Sequence, residues 1–386
     1  MSDVRFMRLA LRLARRGYGC TSPNPMVGAV LVRGGRVLGR GWHRAAGQPH
    51  AEVEALQDAR RNGHSCRGAT LYVTLEPCST QGRTPPCTDA LLGAGLKRVV
   101  VGTTDPNPRH AGRAYGILRR AGLEVRTGVL ADDCARLNEA FNHWIVHGTP
   151  FVTVKAAMTL DGKIATAGGE SKWITSEHAR AHAMTLRQGS DAILVGISTV
   201  LADDPSLTIR LPPAKHAEPR RSVPLRRIVL DARARTPLTA RVVNDTHAAA
   251  TTVVVSPLAP AARVAALARR VRVLVAPLVS NTGPSAHPAI DLRWLLEQLG
   301  AEEVTSLLVE GGGEVNASFL LGGLAHRVAF YYAPKILGGR TARKAVAGEG
   351  ISSAAEALRL RDVEWRRLGP DLFLTARVAQ PAESGD

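Results

Sequence analysis

The stretch that decides the fold is LEPCSTQGRTPPC, residues 75–87, which begins at the last residue of the apolar run ATLYVTL. It places Cys78 and Cys87 nine positions apart, each directly after a proline, in a chain with five cysteines. Such a pair can form a disulfide, bind a metal or supply a nucleophile. The rest of the sequence has to decide among these.

The composition favours a cytoplasmic protein in which cysteines stay reduced. The 386 residues are 45% hydrophobic, and no run approaches the roughly 18 uncharged apolar residues of a membrane span. Arginines interrupt the apolar residues of MSDVRFMRLALRLARRGYG, unlike the core of a signal peptide. In a reducing compartment a sparse, odd set of cysteines indicates ligands or catalysis and not a disulfide framework.

The net charge of +17 raises the possibility of a nucleic-acid partner. The basic residues are scattered singly or in pairs, and aromatic residues make up only 4% of the chain. We therefore expect no nucleic-acid partner and no membrane. The alternative sources of the charge are a coding bias toward arginine and the binding of anionic small molecules.

The pattern of apolar residues predicts two α/β domains, residues 1–147 and 150–380. In the first, we expect helices near 4–16, 50–62, 86–94 and 112–121, a hairpin in which MVGAVLV and RVLGRGW flank RGGR, and strands ATLYVTL, RVVVG and LEVRTG. The second begins after GTP at 148–150. It has strands FVTVKAAMTL, DAILVG, RRIVLDA, ATTVVVS, VRVLVA, SLLV and RVAFYYAP, with helices near 290–299 and 314–322. We expect exposed loops at 210–225 and 279–290 and a frayed tail, AQPAESGD.

The first predicted site is a catalytic zinc. PHAEVEAL places His50 and Glu52 two residues apart at a helix start. With Cys78 and Cys87, His50 completes the three protein ligands of a catalytic zinc, and Glu52 is left free to move protons. The signature H-x-E followed by P-C-x-x-C is that of zinc nucleobase deaminases, although eight residues separate the cysteines here. Zinc lowers the pKa of bound water, and the expected product is ammonia.

Other interpretations of these residues stay open. A structural zinc would need a fourth ligand, for which Cys66 and His64 are the candidates. Cys20 and Cys134 have no ligand partner nearby in sequence and are expected to be packing residues.

The second half lacks the GxGxxG of a Rossmann unit. Its EGGGEVN follows a strand and precedes a helix, so its amides are placed to receive a phosphate, or the segment is an ordinary tight turn.

At this point the motifs resemble a known family, the bifunctional riboflavin-biosynthesis deaminase-reductases. In the first half these are TSPNPMVGAVLV, GWH, HAEVEAL, LEPCSTQGRTPPC and DPNP. In the second they are KAAMTLDGKIA, GESKWITS, VLADDPSLTIR, VEGGGEVN and YYAPKILGG. The resemblance implies a cytidine-deaminase-like α/β/α domain followed by a dihydrofolate-reductase-like α/β domain. It also implies one zinc ion per chain and NADPH as cofactors.

The resemblance implies two consecutive reactions on phosphorylated pyrimidines. The first is deamination of 2,5-diamino-6-(5-phosphoribosylamino)pyrimidin-4(3H)-one, and the second is reduction of the ribose of 5-amino-6-(5-phosphoribosylamino)uracil to ribityl. In the deaminase, Asn24, His43 and Arg83 would face the substrate. The family usually has a histidine where this chain has Thr80, which bears on how the phosphoribosyl group is held.

In the reductase, the residues expected to contact the substrate are Ser171, Arg187, Leu207, Arg210 and Glu310. Those expected to contact NADPH are Ala157, Trp173, Thr199, Asp203, Gly312, Gly313, Glu314, Val315 and Asn316. We expect Arg187 and Arg210 to bind the phosphate, and Lys155 with Asp203 to polarise an opened imine of the ribose and supply a proton. The alternatives are that the arginines are solvated surface charges, that Trp173 is a core residue, and that Asp203 caps a turn.

The sequence is also compatible with two rival functions. One is an RNA-base deaminase with a basic RNA-binding carboxy-terminal half, and the other is a paralogue with only one active half. The expected assembly is a homo-oligomer.

Overall fold

The structure is a computed structural model that describes residues 3–82, 85–210, 223–279 and 288–379. The chain divides after Gly148 into two compact units, the second of which starts at Thr149. Among the described residues, no helix combines the length and apolarity needed to cross a membrane.

The first unit is a five-stranded sheet in the order β2-β1-β3-β4-β5. Its strands are β1 (Gly28–Arg33), β2 (Arg36–Trp42), β3 (Thr70–Leu75), β4 (Arg98–Thr103) and β5 (Glu124–Arg126). Its helices are α1 (Asp3–Ala14), α2 (Ala51–Arg61), α3 (Cys87–Gly93), α4 (Arg113–Arg120), α5 (Ala131–Leu137) and α6 (Glu139–His147).

Alternation along β1 gives this unit a hydrophobic core on each face of its sheet. Ala29 and Leu31 belong to one buried cluster, whereas Val30 and Val32 belong to another. Side chains two apart on a strand share a face, so a strand of small and branched apolar residues serves both cores. The first cluster includes residues of α2, α3 and α4, and the second includes residues of α1 and α5.

Two glycines of β2 let helix α2 lie directly on the strand. A Cβ at Gly41 would lie 2.2 Å from the Ala51 carbonyl oxygen, and one at Gly39 would lie 2.2 Å from the Ala55 carbonyl oxygen. Since real Cβ atoms do not approach an oxygen so closely, any larger residue would push α2 away.

The second unit is a nine-stranded sheet in the order β11-β10-β9-β8-β14-β6-β15-β18-β17, with two small ladders, β12–β13 and β16–β7. Its strands are β6 (Phe151–Thr159), β7 (Lys163–Ala165), β8 (Ala192–Gly196), β9 (Arg226–Leu230), β10 (Thr251–Val255), β11 (Arg272–Val275), β12 (Leu278–Val279), β13 (Ala289–Ile290), β14 (Ser306–Val309), β15 (Arg327–Ala333), β16 (Arg343–Lys344), β17 (Leu360–Leu368) and β18 (Asp371–Val378). Its helices are α7 (Glu177–Gln188), α8 (Ile197–Asp203), α9 (Arg241–Asn244), α10 (Ala261–Ala268), α11 (Leu292–Ala301) and α12 (Gly313–Leu321).

The strands from β11 to β15 in this order pair in parallel, and the β17–β18 hairpin adds two antiparallel strands at the edge. In β8, Ile193 and Val195 face one buried cluster and Ala192 and Leu194 face another. Loops that follow parallel strands meet at one edge of such a sheet, where ligands usually bind. The chain segments after β8, β9 and β14 lie at this edge.

The predicted elements of both halves are present, with ends that differ by a few residues. The segment 279–290, expected to be a loop, instead has paired ends, because Val279 pairs with Ala289 and Leu278 with Ile290. Most of the expected 210–225 loop, the middle of the 279–290 segment and nearly all of the expected frayed tail lie outside the described residues.

Candidate active sites

Three elements bring the predicted zinc ligands together. His50 is the N-cap residue of α2, Cys78 lies in the loop after β3, and Cys87 is the first residue of α3. The loop is closed on itself, because the backbone N–H of Cys87 donates to the Cys78 sulfur at 3.2 Å and the N–H of Thr88 donates to the Cys78 carbonyl at 3.2 Å.

The ligand atoms of these residues converge. His50 Nδ1 lies 3.5 Å from Cys78 Sγ and 3.3 Å from Cys87 Sγ, and all three atoms lie within 4.8 Å of one another. One imidazole nitrogen and two sulfurs are the donor set of a catalytic zinc with an open fourth position. In the described part of the chain, no other His, Cys, Asp or Glu joins this group.

The electrostatics of the cluster favour metal binding. The hydrogen bond from Cys87, together with the neighbouring His50, lowers the pKa of Cys78 to about 4 despite its burial. The hydrogen bond with Cys78, followed by burial, raises the pKa of Cys87. The protein atoms alone therefore stabilise one thiolate, and a divalent cation would stabilise the second.

Glu52 lies two residues after His50, in the first turn of α2, and is only 3% exposed. Burial first, and then the charge of Cys78, raise its pKa to about 7. A carboxyl group with a pKa near neutrality can both accept and donate a proton, which suits general acid–base chemistry.

The two substrate residues that the resemblance implies, Asn24 and His43, touch each other beside the cluster. His43 is 2% exposed, and burial lowers its pKa to about 4, so its ring is neutral at pH 7. Its Nδ1–H donates to the Pro49 carbonyl at 3.2 Å, and Nε2 then accepts from the Asn24 amide at 3.0 Å. The His43 ring meets the His50 ring edge-on, with centroids 5.2 Å apart.

Glu76, which was not predicted as a site residue, organises the loop after β4. Its buried carboxylate accepts backbone N–H bonds from Asp105 at 3.2 Å, Gly112 at 2.9 Å and Ala114 at 3.0 Å. These bonds satisfy N–H groups at the start of α4. An acidic residue directly before Pro77 and Cys78 is a weak signal, since its partners are main-chain groups far along the chain.

The other residues that the sequence singled out in the first unit lie outside the ligand group. Thr80, which stands where the family usually has histidine, has its hydroxyl 3.4 Å from His110 Nδ1. Arg83 lies outside the described residues. Cys66 is buried and donates weakly to the Leu56 carbonyl at 3.9 Å, apart from the ligand group. Cys20 and Cys134 are buried, and neither forms a disulfide.

In the second unit, Lys155 belongs to an ionic group with Glu310 and Arg187. The Arg187 guanidinium donates to both Glu310 oxygens at 2.9 and 3.0 Å, and Lys155 Nζ lies 3.6 Å from Glu310 Oε2. Burial would raise the pKa of Glu310, but the two cations outweigh it and lower the pKa to about 2.

Lys155 also lies beside a group of aromatic side chains that was not predicted from the sequence. Its Nζ lies 5.7 Å from the Tyr331 ring centroid, within cation–π range. The Tyr331 hydroxyl is 2.8 Å from His182 Nδ1, and Phe373 packs against both rings. On β6, Ala157 shares a face with Lys155 because the two are two residues apart.

The structure gives Arg187 and Leu207 environments that differ from the expected ones. Arg187 is 8% exposed and also donates to the Thr208 carbonyl at 2.9 Å, so its guanidinium is committed inside the protein. The Leu207 side chain is 3% exposed and packs in a hydrophobic cluster. Leu207 can therefore contact a ligand only through its backbone, which has a φ of 51°. Arg210 is exposed.

Asp203 lies in a second polar group at the end of α8. Its Oδ1 accepts from the Ser171 hydroxyl at 3.1 Å and lies 3.7 Å from Lys172 Nζ. Trp173 is 64% exposed and is therefore not a core residue, and Arg180 stacks on it at 4.5 Å. Thr199, also on α8, is half-buried.

The glycine-rich segment opens helix α12 toward a cavity of about 1030 Å³. A Cβ at Gly312, the N-cap residue, would meet nothing within 4 Å, whereas one at Gly313 would lie 2.4 Å from the Lys344 carbonyl oxygen. Glu314 and Val315 line the cavity. Asn316 is fully buried, donates to the Ala345 carbonyl at 2.8 Å and has an Oδ1 without a partner among the described residues. A helix whose first turn lines a cavity of this size is suited to binding a dinucleotide phosphate.

Two protein-family models match the chain. One, described as the RibD C-terminal domain, matches residues 150–374. The other, described as the cytidine and deoxycytidylate deaminase zinc-binding region, matches residues 1–103.

Curated relatives match this chain over nearly its whole length, across both of these regions. Riboflavin biosynthesis protein RibD of Actinobacillus pleuropneumoniae is 42% identical over 381 residues, which cover 99% of this chain and 96% of that protein. The protein of the same name from Escherichia coli strain K12 is 40% identical over 380 residues, covering 97% and 99%.

Solved structures agree along the whole chain. RibD of Acinetobacter baumannii has a TM-score of 0.84 and 37% identity, covering 98% of this chain and 99% of that one. The diaminohydroxyphosphoribosylaminopyrimidine deaminase/5-amino-6-(5-phosphoribosylamino)uracil reductase of Thermotoga maritima has a TM-score of 0.80 and 34% identity, with the same coverage. Both units are thus similar to one set of two-domain relatives.

Proposed function

This chain belongs to the RibD family of riboflavin-biosynthesis enzymes, and on that premise we propose how its own residues carry out the two reactions of the family. It is a bifunctional enzyme, a hydrolytic deaminase with a zinc-binding domain and an NADPH-dependent reductase. The full-length similarity to RibD proteins disfavours an RNA-base deaminase.

We propose that its substrates are those in the name of the Thermotoga maritima relative. The first unit would deaminate 2,5-diamino-6-(5-phosphoribosylamino)pyrimidin-4(3H)-one. The second would reduce the ribose of 5-amino-6-(5-phosphoribosylamino)uracil to a ribityl chain. We place the deaminase in residues 1–147 and the reductase in residues 150–380.

In the deaminase, His50, Cys78 and Cys87 would hold the zinc, which would supply a water of lowered pKa as the source of the nucleophile. Glu52 would take the proton of the attacking water and deliver protons to a ring nitrogen and then to the departing amine, which leaves as ammonia. The neutral His43 and its partner Asn24 orient the pyrimidine. The observation that carries this proposal is the convergence of the three ligand atoms, within 4.8 Å, beside a buried carboxyl group.

In the reductase, NADPH supplies a hydride when bound. Glu310 remains an anion at neutral pH because its pKa is about 2, and it holds an ammonium group at Lys155. That ammonium would polarise the opened imine of the ribose and donate the proton that the imine nitrogen takes up on reduction. Since the Arg187 guanidinium is committed to Glu310, we assign Arg187 to positioning and leave phosphate binding to the exposed Arg210. Ser171 and Asp203 form a separate polar group that we place beside the substrate and cofactor.

A coupled assay with purified protein tests both halves. The diaminopyrimidine nucleotide alone should release ammonia, and NADPH should then be oxidised when it is added. Glu52→Gln should abolish ammonia release yet retain zinc and leave reduction of supplied intermediate unchanged. Glu54→Gln, on the same helix but paired with Arg44, is the matched control and should keep both activities. Ammonia release by the Glu52 variant at the wild-type rate would refute the acid–base assignment.

We propose that the protein is a homo-oligomer that uses the edge strand β17. This strand is exposed over nearly its whole length, including Val363 at 46% and Trp365 at 57%. An unpaired edge with exposed apolar side chains is suited to pairing with a second copy. Light scattering should give more than one chain per particle for the wild type and a lower mass for Trp365→Asp. A monomeric wild type at micromolar concentration would contradict this proposal.

We also propose a cytoplasmic location. It is supported by the five cysteines, all of which are free thiols in the structure. Thiol labelling of the protein in its own cells would test it, since an oxidising compartment would leave disulfides.

A further inference from the structure

Two neighbours of the Lys155 ammonium are held by the same helix. Its Nζ lies 3.6 Å from Glu310 Oε2 and 5.7 Å from the centroid of the Tyr331 ring. Helix α7 supplies a partner to each of them, because Arg187 donates to the Glu310 carboxylate and His182 Nδ1 lies 2.8 Å from the Tyr331 hydroxyl. A single ionic contact constrains a distance and not a direction, so the ring matters for where the ammonium points.

The register of the sheet explains why the Tyr331 ring reaches Lys155. Tyr331 on β15 pairs with Ala157 on β6, and Lys155 lies two residues before Ala157. The three side chains therefore share one face of the sheet. The methyl group of Ala157 is too short to separate the ring from the lysine.

The Tyr331 ring is fixed by its surroundings. It is 1% exposed, and the Phe373 ring on the neighbouring strand β18 packs against it with centroids 4.8 Å apart. Phe373 also packs against the His182 ring at 4.7 Å. Ala179 and Ala183 of α7 belong to the same buried cluster. The ring therefore has little freedom to move while its hydroxyl stays bonded to His182.

Helix α7 is itself tied to the strand that carries Phe373. The buried Asp371 carboxylate, at the start of β18, accepts from the Ser176 N–H at 2.7 Å and from the Ser176 hydroxyl at 2.6 Å. Ser176 is the N-cap residue of α7. The start of the helix that carries His182 therefore cannot shift along β18 without breaking two hydrogen bonds.

His182 is suited to accept the hydroxyl proton of Tyr331. Burial first, and then the charge of Arg366, lower the pKa of His182, so its ring is neutral at pH 7. A neutral imidazole with its proton on Nε2 accepts at Nδ1, the nitrogen that faces the Tyr331 hydroxyl. Arg366 is in turn paired with Glu364 at 3.3 Å.

A role in packing alone would ask less of these two residues. Phenylalanine at position 331 would fill nearly the same volume without a hydroxyl that needs a partner, and an apolar side chain on α7 could cover it. The hydroxyl–imidazole bond instead holds the ring in one orientation. The face of an aromatic ring attracts a cation, so the orientation of the ring influences that of the ammonium.

We propose that Tyr331 and His182 are positioning residues of the reductase: His182 holds the Tyr331 hydroxyl, and the Tyr331 ring directs the Lys155 ammonium toward the reacting nitrogen of the substrate. The proposal rests on the proposed reductase function, in which Lys155 donates a proton, and adds two residues to it.

Steady-state kinetics with NADPH and supplied 5-amino-6-(5-phosphoribosylamino)uracil provide the first test. Tyr331→Phe keeps the ring and loses the bond to His182, whereas Tyr331→Leu loses both. We expect kcat to fall about tenfold for the first variant and about 100-fold for the second, since a small misplacement of a reacting group slows the chemical step. KM for either substrate should stay within about twofold, because neither side chain is proposed to bind substrate.

A matched pair of variants isolates the bond made by His182. The side-chain amide of His182→Asn can occupy the place of Nδ1 and keep the bond to Tyr331, whereas His182→Leu cannot. The first should keep kcat within about twofold, and the second should lower it about tenfold. Combining His182→Leu with Tyr331→Phe should cost no more than either change alone, because both remove the same bond.

Single-turnover measurements distinguish misplacement from a loss of active protein. With enzyme in excess over NADPH, a misplaced Lys155 lowers the rate constant of NADPH oxidation. A smaller fraction of active enzyme would leave that rate constant unchanged. Tyr332→Phe is the matched control, since Tyr332 is the next residue on β15 and packs instead near Trp365, with centroids 6.0 Å apart. It should keep the wild-type rate constant.

Wild-type kcat in both Tyr331→Phe and His182→Leu would overturn the proposal, as would equal losses in the two His182 variants or a double variant whose losses multiply. A wild type that does not oxidise NADPH with this substrate would instead refute the proposed reductase function. Thermal unfolding at the wild-type temperature shows that the variants are folded. If Tyr331→Leu is not folded, Tyr331→Phe and the two His182 variants decide.

Discussion

At the scale of single residues, Glu310 shows how one buried anion organises a site. Its side chain is 11% exposed and lies between the Arg187 guanidinium and the Lys155 ammonium. Removing charges from water is costly, and the attraction within the group offsets that cost only while all members are present. The group therefore fixes the position of Lys155 more than it adds to overall stability.

Glu310→Gln should destabilise the protein in a pH-dependent way. The folded pKa of about 2 lies below the ordinary 4.5, so the carboxylate contributes stability above pH 4.5 that is lost as pH falls toward 2. The difference in free energy of unfolding between wild type and variant should be about 3 kcal/mol at neutral pH and should shrink through this window. Urea unfolding at several pH values measures it.

The exposed Glu297, on α11, provides the control for this prediction. Glu297→Gln should change stability little at any pH. A wild-type to Glu310→Gln difference that stays constant from pH 6 to pH 3 would show that the carboxylate is not held by the two cations.

Residue types predicted which side chains converge in the first unit, because a metal needs particular donor atoms. His50, Cys78 and Cys87 are recognisable from their chemistry, as is Glu52 from its spacing. Glu76 was not recognisable, since it bonds only to backbone N–H groups, which any sequence supplies. Arg187 was given a phosphate role because the sequence does not reveal that Glu310 occupies its guanidinium.

At the scale of elements, the contact between β2 and α2 sets the position of His50 and Glu52. The helix lies on the strand with only glycine between the two backbones, so its height above the sheet is fixed by the missing Cβ atoms at Gly39 and Gly41. The position of His50, the candidate zinc ligand at the start of α2, therefore depends on the distance between the helix and the sheet.

Gly41→Ala should weaken zinc binding more than Gly39→Ala does. Both methyl groups would collide with α2, which predicts a loss of about 1–3 kcal/mol in each case. Both methyl groups would meet Ala55, but the Gly41 methyl would also meet Ala51, adjacent to His50 and Glu52, whereas the Gly39 methyl would also meet Ala59, farther along the helix. Thermal unfolding and zinc content after dialysis against a weak chelator measure the two effects.

Gly93 gives a matched substitution without a collision, since its Cβ would meet nothing within 4 Å. Gly93→Ala should retain zinc and leave stability unchanged or slightly higher. Equal zinc retention in the Gly39 and Gly41 variants would contradict a positional effect on the ligand.

The elements that sequence analysis predicted have clear local signals. The RGGR hairpin is an example, because Gly34 and Gly35 both take positive φ, as a tight two-residue turn requires. Helices α5 to α10, the short strands β7, β12, β13 and β16, and the β17–β18 hairpin were not predicted. Helix α6 has no fully buried residue, and β17 is exposed on both faces, so neither shows the alternation that marks a half-buried element.

At the scale of the whole molecule, the two predicted sites lie in different units. The candidate zinc ligands come from residues before Gly148, whereas the ionic group of Lys155 and the cavity beside α12 come from residues after it. The two activities should therefore respond separately to loss of the metal.

Removal of zinc with dipicolinate should stop ammonia release and leave NADPH oxidation intact when 5-amino-6-(5-phosphoribosylamino)uracil is supplied directly. Elemental analysis should show that the loss of the first activity follows the loss of zinc, and added zinc should restore it. A parallel fall in NADPH oxidation would mean that the metal supports more than the deaminase unit.

The division after Gly148 also has a consequence for building chimeras. Each described hydrophobic cluster draws its members entirely from one side of this point. In a chimera with a crossover at 148–149 between this gene and that of a relative, each of these hydrophobic clusters would come from a single parent. Its side chains would therefore already be complementary in shape. A crossover between β8 and β14, which are adjacent in one sheet, would instead mix two parents within a single interior.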